Sequence, residues 1–194
     1  MPERGKSMGN VLNTFVSESI DGGVAYRAPI GSTRPTSATE SLDSAYADLG
    51  TLAKNGFKPE ISRSSTTVED FDGADYVTYQ DKYTGTFEID LLDVDLESVK
   101  KAAYGDAKVT FTSTTAGATV YHVAHSSDPL PMSQWVFRTK SGIKRTLYEV
   151  QYGRVEEIKL DPDDRVSKIT LKVRASRNSD GNFIEEYGGV VSGS

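Results

Sequence analysis

The sequence predicts a mainly β fold, a β-sandwich or barrel with one flanking α-helix, and three observations carry that expectation. Residues 82–91 alternate strictly: Tyr83, Gly85, Phe87, Ile89 and Leu91 fall on one face, Lys82, Thr84, Thr86, Glu88 and Asp90 on the other. That period of two is what a half-buried antiparallel strand requires. Residues 167–175 repeat the pattern, with Ile169, Leu171 and Val173 inward and Lys168, Thr170, Lys172 and Arg174 outward. One stretch has a clear helical period: Leu92, Leu96, Val99 and Ala103, spaced four, three and four apart, draw a single apolar stripe. Several strands and one substantial helix bury their apolar faces best as a sheet packed on itself with the helix against it.

The elements follow in order. Residues 1–14 are polar and form an N-terminal arm, and 24–30 read as a first strand ended by Pro29 and Gly31. Residues 31–56 are a long loop. Within it, Leu42, Ala45, Tyr46 and Leu49, closed by Gly50, predict a short helix over 39–49, and Asn55-Gly56 predicts a turn. A strand over 57–67, interrupted early by Pro59, leads to the turn Asp72-Gly73. The helix over 93–105 takes Asp93 or Asp95 as its cap, Lys100 and Lys101 in its last turn, and Gly105 at its close. Strands follow over 108–112, 118–124 and 134–140, then one long strand over 145–160 with a bulge at Gly153. Asp161-Pro162-Asp163-Asp164 makes a turn, and residues 176–194 form a C-terminal arm with apolar anchors.

At 194 residues, with 37% apolar and 26% charged side chains, the whole chain fits one domain. A net charge of −6 opposes a nucleic-acid-coating surface, and no apolar run reaches the length that crosses a bilayer. The charged N-terminus lacks the apolar core of a secretory signal, and without cysteine neither disulfides nor thiolate metal sites form.

Candidate chemistry is sparse. His122 and His125 lie near Asp128, but their odd separation points them to opposite faces of a strand, so no metal site is expected. The acidic run at 161–164 lacks calcium-loop spacing, and neither Glu156/Glu157 nor Glu185/Glu186 can span a glycosidase cleft from adjacent positions. No nucleophile elbow, phosphate loop or dinucleotide fingerprint is present, so neither an enzyme nor a cofactor is expected. Trp135 and the ten tyrosines fit a sandwich core or a subunit interface, and less readily a sugar groove.

The order Ala28-Pro29-Ile30-Gly31-Ser32-Thr33-Arg34-Pro35, then Leu42-Asp43-Ser44-Ala45-Tyr46-Ala47-Asp48-Leu49-Gly50, then Asn55-Gly56, resembles the major tail protein of long-tailed, non-contractile phages, notably those infecting actinobacteria. Asp72-Gly73-Ala74-Asp75 and the unit ending Ala102-Ala103-Tyr104-Gly105 continue the likeness in register. The resemblance implies a tail-tube-like fold and a virion protein made in the host cytoplasm. Its copies would form rings, hexameric in the family, stacked into a hollow tube. Tape-measure, tail-terminator and baseplate or tail-tip proteins would be its partners, with genomic DNA passing through unbound and no membrane involved. On that likeness Val11, Leu12, Pro29, Pro35, Leu42, Tyr46, Leu49, Phe57, Phe183 and Tyr187 become candidates for contacts between subunits and rings. Glu88 and Asp90, followed by Glu149, Glu156 and Glu157, become candidates for an acidic lumen that repels phosphates. The tube protein of a contractile injection or type VI-like secretion device and a monomeric carbohydrate-binding sandwich are the alternatives.

Overall fold

The computed structural model describes Glu18 and residues 23–115, 117, 119–161 and 166–191, the side chain of Asn55 excepted. The elements are β1 (Ala25–Pro29), β2 (Ala47–Asp48), β3 (Leu52–Glu69), β4 (Asp75–Leu91), α1 (Glu97–Tyr104), a 3-10 turn (Asp106–Lys108), β5 (Val109–Ser113), β6 (Thr119–Val123), β7 (Ser133–Ser141), β8 (Lys144–Asp161), β9 (Lys168–Ala175) and β10 (Glu185–Val190). The main sheet runs β2-β1-β7-β8-β9-β4-β3, with β10 added to β8, and β5-β6 form a separate hairpin. All pairings are antiparallel.

The long strand β8 joins two layers. Its first half pairs with β7 and β10, and its second half, from Gly153, pairs with β9. The ladder to β7 slips beside Gly153, where the sequence predicts a bulge. Trp135 explains the glycine: a Cβ there would lie 2.6 Å from the indole, whose Nε1–H donates to the Gly153 carbonyl oxygen at 3.2 Å. Phe57 of β3 stacks on Phe137 of β7 with ring centroids 4.1 Å apart, although the two strands lie four places apart in the sheet order. The sheet therefore folds over on itself, giving a mainly β sandwich with one flanking helix.

Between the layers lie Phe87, Ile89, Leu91, Trp135, Phe137 and Leu171, all almost completely buried. Each contributes about 1.5–3 kcal/mol by leaving water. Helix α1 adds Val99, Ala102 and Ala103 to this core. At eight residues it is too short to persist alone, so packing and the Glu97–Lys101 ion pair at 2.6 Å hold it.

The start of α1 differs from expectation. Leu96 is the N-cap residue and has no side-chain cap bond. Asp93 is diverted to the Thr51 amide at 2.6 Å, and Asp95 takes the Tyr121 hydroxyl and Lys100. Leu96 is also 40% exposed and so drops out of the apolar stripe. Gly105 closes the helix at φ +89°, its amide donating to the Lys101 carbonyl oxygen.

The helix expected over 39–49 does not form. Glu40 accepts from the amides of Thr36 and Ser37, Asp43 accepts from the Ala45 amide at 2.8 Å, and the segment ends in the two-residue strand β2. These local side-chain bonds offer the backbone what a helix would have offered. Asn55-Gly56 is not a turn either. It lies inside β3, where three extra residues loop out between the pairs Leu52–Leu91 and Phe57–Ile89. A Cβ on Gly56 would sit 2.7 Å from the Ala53 carbonyl oxygen, so the bulge needs glycine. Pro59 does not end the strand, which continues to Glu69. The turn expected at 161–164 lies largely outside the described residues.

The C-terminal arm expected over 176–194 contains a strand of the chain's own sheet. β10 extends the sheet along Lys144–Glu149 of β8. Tyr187 joins Ala38, Leu42 and Tyr46 over the outer face of β1, β7 and β8, where Tyr26, Ala28, Val136 and Leu147 form a second apolar cluster. β7 is consequently buried on both faces from Ser133 to Phe137.

Candidate interaction surface

Beyond Gly85, β4 leaves β9, and its continuing partner is β3. The register from Ser62–Thr84 to Glu69–Asp75 thus forms a two-stranded ribbon, which at about 3.4 Å per residue projects roughly 30 Å from the body. Its side chains satisfy one another locally. Asp81 accepts from the hydroxyls of Ser64 at 2.7 Å and Thr66 at 2.6 Å, and the Thr67 and Thr78 hydroxyls meet at 2.8 Å. The Asp81 carboxyl is held below its usual range by those two hydroxyls, Thr66 foremost. At the tip, Asp70 Oδ1 accepts from the amides of Asp72 and Ala74, fixing the turn. At the base, Phe183 packs on Tyr83 at 4.5 Å, with Arg63 over the Tyr83 ring and Arg177 over the Phe183 ring.

Beyond its base, none of the described residues covers the ribbon. Every described residue from Lys58 to Lys82 is exposed, and Phe71 at the tip is completely so. Tyr76 is 78% exposed, and Val68, Val77 and Tyr79 add to the same apolar end. Among the described residues nothing pairs with the outer edge of β3. Two strands alone are at best marginally stable in water, and an open edge invites pairing.

The candidate contact residues land elsewhere. Pro35, Tyr46 and Leu49 are buried inside the chain. Leu42, Phe57, Phe183 and Tyr187 are half-buried against the two apolar clusters, so their apolar surface serves the chain's own core. Pro29 is exposed at the end of β1. Val11 and Leu12, with the N-terminal arm, lie outside the described residues.

The five candidate lumen acids all have a cation close by. Glu88 and Asp90 share Lys58 at 2.9 and 3.3 Å, Glu156 meets Arg174 at 3.3 Å, and Glu157 meets Lys159 at 3.2 Å. Asp90 is buried and accepts from the Thr170 hydroxyl at 2.5 Å. Burial raises its carboxyl and the bonds from Thr170 and Lys58 lower it, and the lowering prevails. Glu149 cannot line a lumen in this fold. Its side chain is fully buried, because loop 31–46 folds over it and Arg34 holds both its oxygens, at 2.6 and 2.9 Å.

That pair belongs to a larger strap. Arg34 also reaches Glu185 of β10 at 3.0 Å, and the Tyr187 hydroxyl donates to the second Glu185 oxygen at 2.6 Å. The Tyr187 hydroxyl, then Arg34, hold Glu185 below the ordinary carboxylate range against the opposing effect of burial. Burial and Glu185 together push the Tyr187 phenol up to about 12.

The remaining candidates are structural in setting. His122 sits on β6 opposite Thr110, and His125 packs edge-on against Tyr104 at 4.6 Å. Asp128 engages Ser126 and Lys108. Trp135 is 1% exposed and so cannot offer its face to a sugar. Among the described residues no cluster of three or more His, Asp or Glu is arranged for a metal, and no helix is long and apolar enough to cross a membrane.

Reading the sequence missed the ribbon. Its signal was present: residues 62–82 are polar on both faces, leaving no apolar side to bury, yet they carry Val68, Phe71, Tyr76, Val77 and Tyr79. Comparison with protein-family models and with curated proteins finds no match for this chain.

Proposed function

We propose that the chain is a structural subunit that assembles with copies of itself into stacked rings, the wall of a hollow tail tube such as the resemblance to long-tailed phages implies. The observation that carries this reading is the ribbon of β3 and β4. It is a long hairpin whose outer edge is unpaired among the described residues, with two exposed faces and an aromatic tip, and identical neighbours would complete it. Tape-measure, terminator and tail-tip proteins would then meet the tube, and DNA would pass through it without being bound. If Glu88, Glu156 and Glu157 line that passage, as the resemblance implies, their pairs with Lys58, Arg174 and Lys159 make its walls mixed in charge.

Negative-stain microscopy of the purified full chain tests the reading, beside a variant in which residues 63–82 are replaced by Asn-Gly. The full chain is expected to give annular particles or hollow rods at raised concentration. The shortened chain is expected to keep its melting temperature within a few degrees and to remain monomeric, because the core contains nothing from the excised part. Monomers alone from the full chain, or rods from the shortened one, would overturn it.

A further inference from the structure

Two exposed features of the chain are opposite in charge and alike in carrying bare apolar side chains. The first is the ribbon tip. From Ser64 to Asp81 the sequence holds five carboxylates and no Lys, Arg or His. Asp81 is engaged by hydroxyls and Asp70 by the turn amides. Glu69, Asp72 and Asp75 therefore surround Phe71 and Tyr76 as an acidic rim on an aromatic point.

The second is the turn from β7 to β8. From Arg138 to Arg145 there are four cations and no carboxylate. Arg138 is occupied inside, its guanidinium stacked on Tyr26 and donating to that hydroxyl at 2.9 Å. Arg145 arches over the turn and donates to the carbonyl oxygens of Gly142 and Lys144. The Val191 amide donates to the Ile143 carbonyl oxygen at 2.9 Å, so the end of β10 and the turn make one platform. Its floor is aliphatic, with Ile143 59%, Val190 60% and Val191 39% exposed. Its rim is Lys140, Lys144 and Arg145, and Glu18 is bridged by backbone to Lys140.

We infer that these are the two halves of one contact between copies: the acidic aromatic tip of one chain docks on the basic aliphatic turn of the next. The inference rests on the self-assembly reading and supplies its joint. An apolar centre inside a rim of complementary charge is the ordinary anatomy of a specific interface. The two patches are different surfaces, so copies joined head to tail through them close into a ring or continue as a filament. The tip does not use the turn of its own chain, since Phe71 is completely exposed.

Charge exchange in the full chain tests it by sedimentation velocity across concentration. One variant carries E69K/D72K/D75K, which makes the tip basic. The other carries K140E/K144E, which makes the turn acidic and leaves Arg145 to hold it. Each alone is expected to raise the concentration needed for assembly at least tenfold. An equimolar mixture is expected to recover assembly, because basic tips then meet acidic turns and acidic tips meet basic turns. Recovery also shows that both variants are folded. Either variant assembling like the unaltered chain, or a mixture that stays dispersed, overturns the contact while the tube reading stands on the unaltered chain. An unaltered chain that never assembles overturns both.

Discussion

Arg34 and Glu149 are 115 positions apart, yet together they decide how the outer face of β7 and β8 is covered. Glu149 stands on a face shared with Val136 and Leu147, so in an open sheet it would point to solvent. Loop 31–46 closes over that face and brings the guanidinium that pairs with the carboxylate beneath it. Replacing Arg34 by Ala leaves a buried charge without its partner. The expected loss is about 3 kcal/mol, the low end for a broken buried pair because the guanidinium is itself partly solvated, and urea unfolding measures it. A loss under about 0.5 kcal/mol would mean that the pair behaves as a surface contact. Gly153 shows what was legible at this scale. Its position within a long strand pattern marks a bulge from sequence alone, but the reason for the glycine, the indole of Trp135 against its backbone, needs the fold.

Strands were readable where one face is buried. β4 near Phe87 and Ile89, and β9 apart from the buried Thr170, show the alternation that burial imposes. Leu42, Ala45, Tyr46 and Leu49 satisfy helical spacing without forming a helix: Leu42 and Tyr46 pack on the outer cluster, Leu49 lies in the main core, and Ala45 is exposed. The strand within the C-terminal arm was hard to see in sequence because β10 alternates only weakly, with two glycines among six residues. Removing 183–194 would therefore strip a strand from the chain's own sheet as well as any contact it makes with neighbours.

Loop and β10 are strapped together through Glu185, which gives the cover a pH signature. Glu185, Asp90 and Asp106 all titrate below their ordinary range in the fold, Asp106 chiefly through its two bonds from Arg27. A depressed carboxyl binds its proton more readily in the unfolded chain. Its stabilisation is thus complete above the ordinary carboxylate range and is lost as pH falls through the lower folded values. The urea midpoint is expected to hold from about pH 7 to 5 and to fall from about pH 5 downward. E185Q is expected to flatten part of that fall. A midpoint that rises on acidification would contradict the strap.

For the whole molecule, the closed half and the open half of the fold obey different rules. The sandwich buries Trp135, Phe87 and Phe137 within the chain itself. Beyond its base the ribbon is exposed on both faces, its outer edge is unpaired among the described residues, and it ends in a bare phenylalanine. Such a division has physical sense when the second half of its packing comes from copies of the chain. Hydrogen exchange of the β3 amides in 62–69, followed as concentration is raised, tests this most directly. The account expects those directed away from β4 to exchange fast in dilute solution and to slow at least tenfold once copies meet. Exchange that stays equally fast at every concentration, with the sandwich fully protected, would contradict it.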